Sequence, residues 1–273
     1  MAEYPEILQL SRQMNSCVAG KSFKNIHVVQ RKCLNMDIQP FYDRLIGNSV
    51  IEVCNKGKWI HLILDQGYHL LISLGMGGDV LYFESLDKKQ EKYQCLFQFE
   101  DGSGFTCKFW WFGHIVLVSE SELINDKTFS KIACSPFDKE FTKDYFATAI
   151  STRKASVKNI IMSQTVVSGI GNAYIHDILF RAKIHPNTKA YLLSRSEIDN
   201  LYDQILYVMK QSIESKGMAY ENDFYGNSGG FFAGQFIIGY REGHPCTECG
   251  TIVEKIKTGS TSSYICPNCQ KEK

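Results

Sequence analysis

The C-terminal end of this chain carries two close cysteine pairs, Cys246-Thr247-Glu248-Cys249 and Cys266-Pro267-Asn268-Cys269, with sixteen residues between them. This spacing is typical of a structural zinc finger or ribbon, in which four thiolates converge on one Zn²⁺. Two disulfides or four free thiols are the alternatives. Between the pairs, the turn Thr258-Gly259-Ser260-Thr261 separates two alternating runs. The segment therefore predicts a β-hairpin whose tip projects away from the metal.

Length and composition indicate an ordinary globular protein. The chain has 273 residues, enough for two domains or one large one, and 44% of them are hydrophobic. No run of about 18 apolar residues occurs, so no membrane-spanning helix is expected. The polar N-terminus and the six further, scattered cysteines favour a cytoplasmic protein, associated with the nucleoid if the source is bacterial. Because the net charge is only +1, any nucleic-acid surface must be a local patch.

The N-terminal half is predicted to be rich in β-structure. Pro5 opens a first helix, which Gly20 ends, and short apolar or alternating runs then follow up to about Ser119. These runs are Val50–Cys54, Trp59–Leu64, His69–Ser73, Val80–Phe83, Tyr93–Phe99, Gly104–Phe109 and His114–Val118. Many short strands at this spacing predict a β-sandwich or a barrel.

From Thr142 onward the pattern becomes helical. Val157–Ser163 reads as a helix, and a glycine-broken turn and a second helix follow it. Ser194-x-x-Glu197 is a capping box that starts a longer helix. The stretch Glu221–Gly234 is rich in Gly and Asn and predicts a mobile loop.

The turn Gly169-Ile170-Gly171-Asn172 precedes a helix start. Glycines at such a place let backbone N–H groups approach an oxyanion, and the helix N-terminus favours a phosphate. A plain helical hairpin broken by glycines is the competing interpretation of this motif taken alone.

Six blocks of sequence follow one another in a specific order. They are Glu3-x-Pro5-Glu6, Gly57-Lys58-Trp59, Leu74-Gly75-Met76-x-Gly78, Phe112-Gly113, the segment Gln164–Pro186, and the two cysteine pairs. Their combination, which extends over nearly the whole chain, resembles the formamidopyrimidine-DNA glycosylase/endonuclease VIII family. Within it, Gln164–Pro186 resembles the helix–two-turns–helix signature of that family.

The resemblance implies an α+β fold with a β-sandwich catalytic domain, a helical DNA-binding domain and a zinc-finger β-hairpin. We expect the first domain at residues 1–126, a connection at 127–141, the helical domain at 142–235 and the zinc finger at 236–273. DNA is expected in the cleft between domains. The partner would be damaged duplex or abasic-site DNA, bound by a monomer that holds one structural Zn²⁺ and has no membrane contact.

The implied activity is base-excision repair. A damaged nucleotide is flipped out of the duplex, an N-terminal amine attacks its anomeric carbon, and the base leaves as a Schiff base forms. Elimination then cuts the strand. In this chain the amine would belong to Ala2, and Glu3 would be the acid/base that protonates the sugar ring oxygen. Glu6 would position that end of the helix.

The resemblance also assigns the residues that hold DNA. Lys58 and Asn172 would grip the phosphates beside the flipped nucleotide, Lys58 forming part of the catalytic set, and Lys158 would add a phosphate contact. Met76 would fill the hole left by the base, with Phe112 as a second wedge. Taken singly, Lys58 could be a solvated strand charge and Met76 core filler.

Three positions depart from the family. Ala2 stands where proline is usual, so removal of Met1 must expose a primary amine. Ser260 occupies a hairpin tip that usually carries an arginine, and a hydroxyl supplies no charge. Trp110 and Trp111 precede Phe112 where an arginine is usual, and an indole stacks but cannot read an unpaired base as arginine does. These departures raise an alternative function, a non-catalytic member that binds damaged or branched nucleic acid.

Overall fold

The computed structural model describes residues 2–126 and 129–273. The chain divides into two compact units. The N-terminal unit comprises Met1–Ser130 together with Lys216–Gly230, and the C-terminal unit comprises Lys131–Ser215 together with Phe231–Lys273.

The N-terminal unit is built on two antiparallel sheets of four strands each. Its strands are β1 (Phe23–Val28), β2 (Val50–Lys56), β3 (Trp59–Leu64), β4 (Tyr68–Ser73), β5 (Asp79–Phe83), β6 (Cys95–Phe99), β7 (Gly104–Lys108) and β8 (His114–Ser119). Its helices are α1 (Tyr4–Val18), α2 (Ile38–Leu45) and α3 (Glu120–Asn125). One sheet has the order β1-β6-β7-β5 and the other the order β2-β3-β4-β8.

The core of this unit lies among the two sheets and α1. On α1 the apolar residues Ile7, Leu10 and Met14 recur at helical spacing and are buried, which seats the helix on the core. Phe97 and Phe105, from neighbouring strands of one sheet, stack with ring centroids 4.7 Å apart. The predicted sandwich and all seven predicted runs are confirmed. The sequence analysis expected only strands and turns between α1 and β2. It therefore missed the helix α2, which lies in that stretch.

The C-terminal unit contains four helices and the hairpin among its described residues. The elements are α4 (Lys143–Ser151), α5 (Val157–Met162), α6 (Ile175–Arg181), α7 (Arg195–Glu214), β9 (Glu254–Thr258) and β10 (Thr261–Ile265). The capping box is confirmed, because the Ser194 hydroxyl accepts the Glu197 N–H and the Glu197 carboxylate accepts the Ser194 N–H. Thr258 pairs with Thr261 across the hairpin, so Gly259 and Ser260 form its tip, as expected.

Asp177 joins the helices to the chain that enters the zinc finger. Its buried carboxylate accepts three successive backbone N–H groups, those of Ile237 (2.8 Å), Ile238 (3.1 Å) and Gly239 (2.9 Å). Buried backbone donors need partners, and here one side chain in the first turn of α6 supplies them.

The unit boundaries differ from the sequence expectation at two places. The stretch Lys216–Gly230 belongs to the N-terminal unit, because Phe224 is fully buried in the sandwich core and the Gln13 amide bonds both the Phe224 N–H and the Asp223 carboxylate. The zinc finger does not form a unit of its own, since it groups with the helices.

The expected connection 127–141 also differs from a free linker. It begins with Lys127 and Thr128, which lie outside the described residues. Further along, the Ala133 N–H donates to the Gln164 carbonyl and the Cys134 carbonyl accepts the Ser168 N–H. This part of the connection is therefore packed on the glycine-containing motif. Over residues 2–126 and 129–273, no helix has the length and apolar character that crossing a bilayer requires.

Replacing Asp177 by alanine should destabilise the C-terminal unit by at least about 2 kcal/mol, because three N–H groups lose their acceptor and the two buried ones, of Ile238 and Gly239, cost about 1–3 kcal/mol each. Urea unfolding followed by circular dichroism measures this free energy. Asp199→Ala is the matched control, because within residues 2–126 and 129–273 the ion pair of that carboxylate is with Arg195 of its own helix, at 2.8 Å. Such a pair is worth about 0.3–0.5 kcal/mol. Equal losses in the two variants would contradict the anchoring role.

Candidate functional site

The start of α1 is enclosed by protein. Ala2 is 4% exposed and Glu3 is 2% exposed. The Glu6 carboxylate accepts the Glu3 N–H at 2.8 Å through one oxygen and the Met218 N–H at 2.9 Å through the other. Gly217 comes so close that a β-carbon there would lie 2.9 Å from Glu6 Oε1. Glu6 thus positions the end of the chain that carries Ala2 and Glu3, as the sequence analysis expects.

A further carboxylate near this end was missed by the sequence analysis. Glu221 is 8% exposed, and burial raises its pKa, with the neighbouring carboxylates of Asp79 and Glu3 acting in the same direction. No local pattern could have found it, because Glu221 lies in an irregular segment more than two hundred residues from α1. Met1 lies outside the described residues, so removal of Met1 stays a prediction.

Lys58 stands in the two-residue turn between β2 and β3. Lys56 pairs with Trp59 across this hairpin, and Gly57 takes a φ of 57° at the first turn position. This is the arrangement in which glycine is favoured, because other residues resist a positive φ. Among the described residues Lys58 has no ion-pair partner, so its ammonium is available to an anion.

The loops that carry Met76 and Phe112 are bonded to each other. The Met76 N–H donates to the Trp111 carbonyl at 2.8 Å, and the Trp111 N–H donates to the Met76 carbonyl at 3.3 Å. Gly75 allows this approach, since a β-carbon there would lie 2.1 Å from the Trp111 carbonyl oxygen. The structure therefore brings the predicted void-filling loop and the predicted wedge loop together.

Phe112 shows two features of a functional wedge. Its φ is 61°, a conformation that costs a bulky residue about 1–2 kcal/mol. Its ring is 75% exposed, and Trp110, Trp111 and Met76 beside it are exposed as well. Backbone strain together with exposed apolar surface indicates that this loop serves an interaction and not the packing of the core.

In the C-terminal unit, Gln164 braces the glycine-containing turn. Its amide donates to the carbonyls of Met162 (2.9 Å) and Ile170 (2.8 Å), and its oxygen accepts the Gly169 N–H at 2.7 Å. Gly169 has a φ of 89°. The predicted helix–turns–helix arrangement is confirmed between α5 and α6.

Asn172 follows this turn and has an unused polar atom. Its side-chain oxygen is buried and bonds no group in the described ranges. His176, one turn later, likewise has a buried Nε2 that lacks a partner among the described groups, and burial lowers the pKa of this imidazole to about 3. Buried polar atoms without partners are rare in proteins, and those at this motif are candidates for a bound ligand. A phosphate contact by Asn172 remains a prediction.

The four predicted zinc ligands converge. The sulfur atoms of Cys246, Cys249, Cys266 and Cys269 all lie within 4.8 Å of one another. Cys249 Sγ lies 3.4 Å from Cys266 Sγ and 3.5 Å from Cys269 Sγ. A tetrahedral zinc site with Zn–S bonds of about 2.3 Å places its sulfurs about 3.8 Å apart, so the cluster fits a structural zinc. None of the four is joined in a disulfide.

Lys158 does not lie where the resemblance implies. The side chain is 0% exposed, and its ammonium points into the zinc-finger hairpin. The acceptors are Thr258 Oγ1 (3.0 Å), Thr261 Oγ1 (2.9 Å), the Ser262 carbonyl (2.6 Å) and Ser263 Oγ (2.8 Å). Burial lowers the pKa of Lys158 to about 8. The ammonium is therefore engaged in holding the hairpin, and this arrangement does not support the expected phosphate contact.

Ser260 lies at the exposed tip of the same hairpin, as expected. Asn159 is beside it, since a β-carbon on Gly259 would lie 3.5 Å from the Asn159 side-chain oxygen. A DNA contact by Ser260 stays a prediction.

Replacing Lys158 by methionine should loosen the hairpin, because Ser262 and the three hydroxyls lose their donor. Loss of a buried hydrogen-bond partner costs about 1–3 kcal/mol, so amide exchange across residues 258–263 should speed up by about tenfold or more. Hydrogen exchange read by mass spectrometry tests this, with the exposed Lys154→Met as the matched control. Unchanged protection of residues 258–263 would show that the ammonium does not hold the hairpin.

Comparison with known protein families identifies three matches in order along the chain. The formamidopyrimidine-DNA glycosylase N-terminal domain matches residues 1–109, the formamidopyrimidine-DNA glycosylase H2TH domain matches residues 132–223, and the zinc finger found in FPG and IleRS matches residues 243–271. The three matches span most of the sequence.

Whole-chain comparisons agree. The chain is 29% identical over 280 residues to a formamidopyrimidine-DNA glycosylase of Pelotomaculum thermopropionicum, with all of both chains covered. It is 28% identical to one of Streptococcus pneumoniae, with 99% of each covered. The fold matches Lactococcus lactis formamidopyrimidine-DNA glycosylase bound to abasic-site DNA, at 24% identity, a TM-score of 0.88 and coverage of 99% and 100%. The chain therefore belongs to the formamidopyrimidine-DNA glycosylase/endonuclease VIII family of base-excision DNA glycosylases.

Proposed function

We propose that this chain removes damaged bases from DNA and cleaves the resulting abasic site through the amine of Ala2, once Met1 has been removed. The observation that carries the proposal is the position of the N-terminus. Ala2 and Glu3 lie together, enclosed, at the start of α1, and Glu6 holds that start through two backbone hydrogen bonds.

The chemistry suits an α-amine. Such an amine ordinarily has a pKa of about 7.7–8.0, so a useful fraction is neutral and nucleophilic at physiological pH, unlike a lysine. The amine nitrogen bonds to the anomeric carbon, the glycosidic bond breaks, and the base departs with a proton. Protonation of the ring oxygen lets its bond to the anomeric carbon break, which opens the sugar and leaves the protonated Schiff base. Loss of a proton from the neighbouring sugar carbon then expels the 3′ phosphate. Glu3, one residue from the nucleophile, is the group that donates and accepts these protons.

The phosphate grip is proposed to come from two places. Lys58, at its hairpin turn, supplies a positive charge without a protein counter-ion among the described residues. Asn172 stands at the glycine-containing motif, where the N–H₂ end of its amide would donate to a phosphate oxygen. Met76 and Phe112 would enter the duplex where the nucleotide leaves. Ser260 at the hairpin tip would add a hydroxyl contact.

A second function is favoured by one observation. The hairpin tip offers Ser260 in place of a charged side chain, and the nearby Lys158 ammonium is fully engaged inside the hairpin. The hairpin tip would then hold the DNA phosphates more weakly, and alanine would replace proline at the nucleophile position. Such a chain would bind damaged or branched DNA without cutting it.

We further propose that the chain binds one zinc ion, acts as a monomer and works in the cytoplasm. The four-cysteine cluster supports the metal, because its geometry accommodates a single tetrahedral ion. A reducing compartment suits a chain in which none of the ten cysteines forms a disulfide.

Borohydride should trap a covalent adduct between the protein and an abasic-site duplex, because reduction fixes the Schiff base formed by the Ala2 amine. Intact-mass analysis of the same sample must show a chain that begins at Ala2. If that processed chain gives no adduct, the lyase function is wrong and the non-catalytic binder is favoured. An activity panel over oxidised purines and oxidised pyrimidines then identifies the lesion.

Glu3→Gln should slow base release by about 10²- to 10⁴-fold, the usual contribution of a positioned acid/base, while DNA binding is kept. Single-turnover cleavage and a binding titration measure the two properties separately. Glu52→Gln, on the exposed edge of β2, is the matched control and should behave as wild type. Full activity in Glu3→Gln would refute the role given to that carboxylate.

Lys58→Ala should weaken duplex binding and reduce the slope of log affinity against log salt by about 0.9, the value expected for one lost phosphate contact. Fluorescence anisotropy at several salt concentrations measures this slope. Lys24→Ala provides the control, because that exposed lysine pairs with Glu100 at 3.5 Å. An unchanged slope in Lys58→Ala would mean that Lys58 touches no phosphate.

A further inference from the structure

The N-terminal unit has a groove of about 470 Å³ on the side of the wedge loop that carries Trp110. Its lining consists of Val29, Lys89, Glu91, Lys92, Tyr93, Gln94, Lys108, Phe109 and Trp110. We call it the lysine–aromatic groove. Its volume falls within the range of about 300–1,000 Å³ typical of ligand sites. None of the residues assigned to base release lies in it.

Two aromatic rings border this groove, and both are held in place. The Trp110 indole packs over the backbone of Gly77, where a β-carbon would lie 3.5 Å from the indole, and the ring is still 71% exposed. The Tyr93 hydroxyl is 3.1 Å from His27 Nδ1, and the two rings meet edge to face. Trp110 is exposed and Tyr93 is half-buried, and rings held in a fixed orientation at a surface are platforms on which bases stack.

The loop that carries Trp110 is fixed to the groove wall by Gln94. The Phe109 N–H donates to the Gln94 side-chain oxygen at 2.7 Å, and the Gln94 amide donates to the Phe109 carbonyl at 3.1 Å. This pair of bonds sets the position of the residue directly before Trp110. The platform therefore exists before any ligand binds, which lowers the entropy cost of binding.

The charge of the groove is positive. Lys89 and Lys92 form no ion pair within residues 2–126 and 129–273, and Lys108 is 4.0 Å from Asp79. Glu91 is the single carboxylate in the lining, against three lysines. Lysines that lack protein counter-ions are suited to phosphates, which release counterions from the nucleic acid when they bind.

We propose that the lysine–aromatic groove binds an unpaired nucleic-acid strand, with bases stacked on Trp110 and Tyr93 and phosphates on Lys89 and Lys92. A duplex keeps its bases stacked on one another and cannot offer their faces to these rings, so the groove selects single-stranded segments next to a lesion. The inference extends the proposed function to substrates with unpaired strands, such as bubbles, forks or single-stranded DNA. Binding to this groove does not require the Ala2 amine.

The test uses the full-length protein and a lesion-free, fluorescently labelled oligo(dT) strand, with affinity measured by anisotropy. Trp110→Ala should weaken binding by at least about fivefold, the lower limit for loss of one stacked base. Lys92→Ala should reduce the salt slope by about 0.7, the value for one phosphate contact with a single strand. The controls are Tyr191→Ala, an exposed aromatic residue of the C-terminal unit, and Lys24→Ala. Both controls should bind oligo(dT) as wild type does.

Two outcomes would overturn the inference. One is oligo(dT) binding within twofold of wild type in both Trp110→Ala and Lys92→Ala. The other is competition by polyglutamate as strong as that by unlabelled oligo(dT), which would assign the groove to an acidic polypeptide. Borohydride trapping on an abasic-site duplex is run in parallel on wild type and Lys92→Ala. If trapping is normal and the variants bind oligo(dT) as wild type does, only this inference is wrong. If the wild type itself gives no adduct, the lyase function is wrong, and the oligo(dT) result still decides whether the groove binds a single strand.

Discussion

The buried carboxylate of Glu6 is the interaction on which the functional part of this protein depends. It bonds the backbone of Glu3, three residues away, and the backbone of Met218, 212 residues away. Removing a carboxylate from water is costly unless hydrogen bonds compensate it, and here both oxygens accept buried N–H groups. The start of α1 is therefore held by a segment from the far end of the sequence, which gives Ala2 and Glu3 a defined position.

The C-terminal unit uses buried charges in the same way. Asp177 receives three N–H groups from a segment about 60 residues later, and Lys158 donates into a hairpin about 100 residues later. Zinc can fold the finger, but a metal inside the finger cannot orient it on the helices. Asp177 and Lys158 make that connection, which explains why the finger groups with the helices rather than forming a unit of its own.

The departures from the family pattern have a common physical consequence. Where arginines are usual, this chain has tryptophans on the wedge loop and serine at the hairpin tip. Charge that would contact DNA directly is thereby reduced at these positions, and exposed aromatic surface is increased, since Trp110, Trp111 and Phe112 are all more than 60% exposed. We propose that recognition at the wedge loop thereby shifts from ion pairs and base-edge hydrogen bonds towards stacking, which tolerates many base sequences but requires accessible base faces.

The sequence by itself determined those features that depend on neighbours along the chain. Alternating runs predicted β2 to β8, the Ser194 capping box predicted the start of α7, and the cysteine spacing with its Gly259 turn predicted the zinc hairpin, because periodicity, capping and turn chemistry act over a few residues. The family resemblance added the candidate site residues. Only the tertiary structure decided that the Lys158 ammonium bonds the zinc-finger hairpin and that Lys216–Gly230 joins the N-terminal unit. It likewise decided that Glu221 is buried near Glu3 and that the lysine–aromatic groove forms. Each of these features depends on contacts between residues that are far apart in the sequence. Such contacts determine how deeply a charged side chain is buried and which groups it bonds, and its sequence neighbours do not.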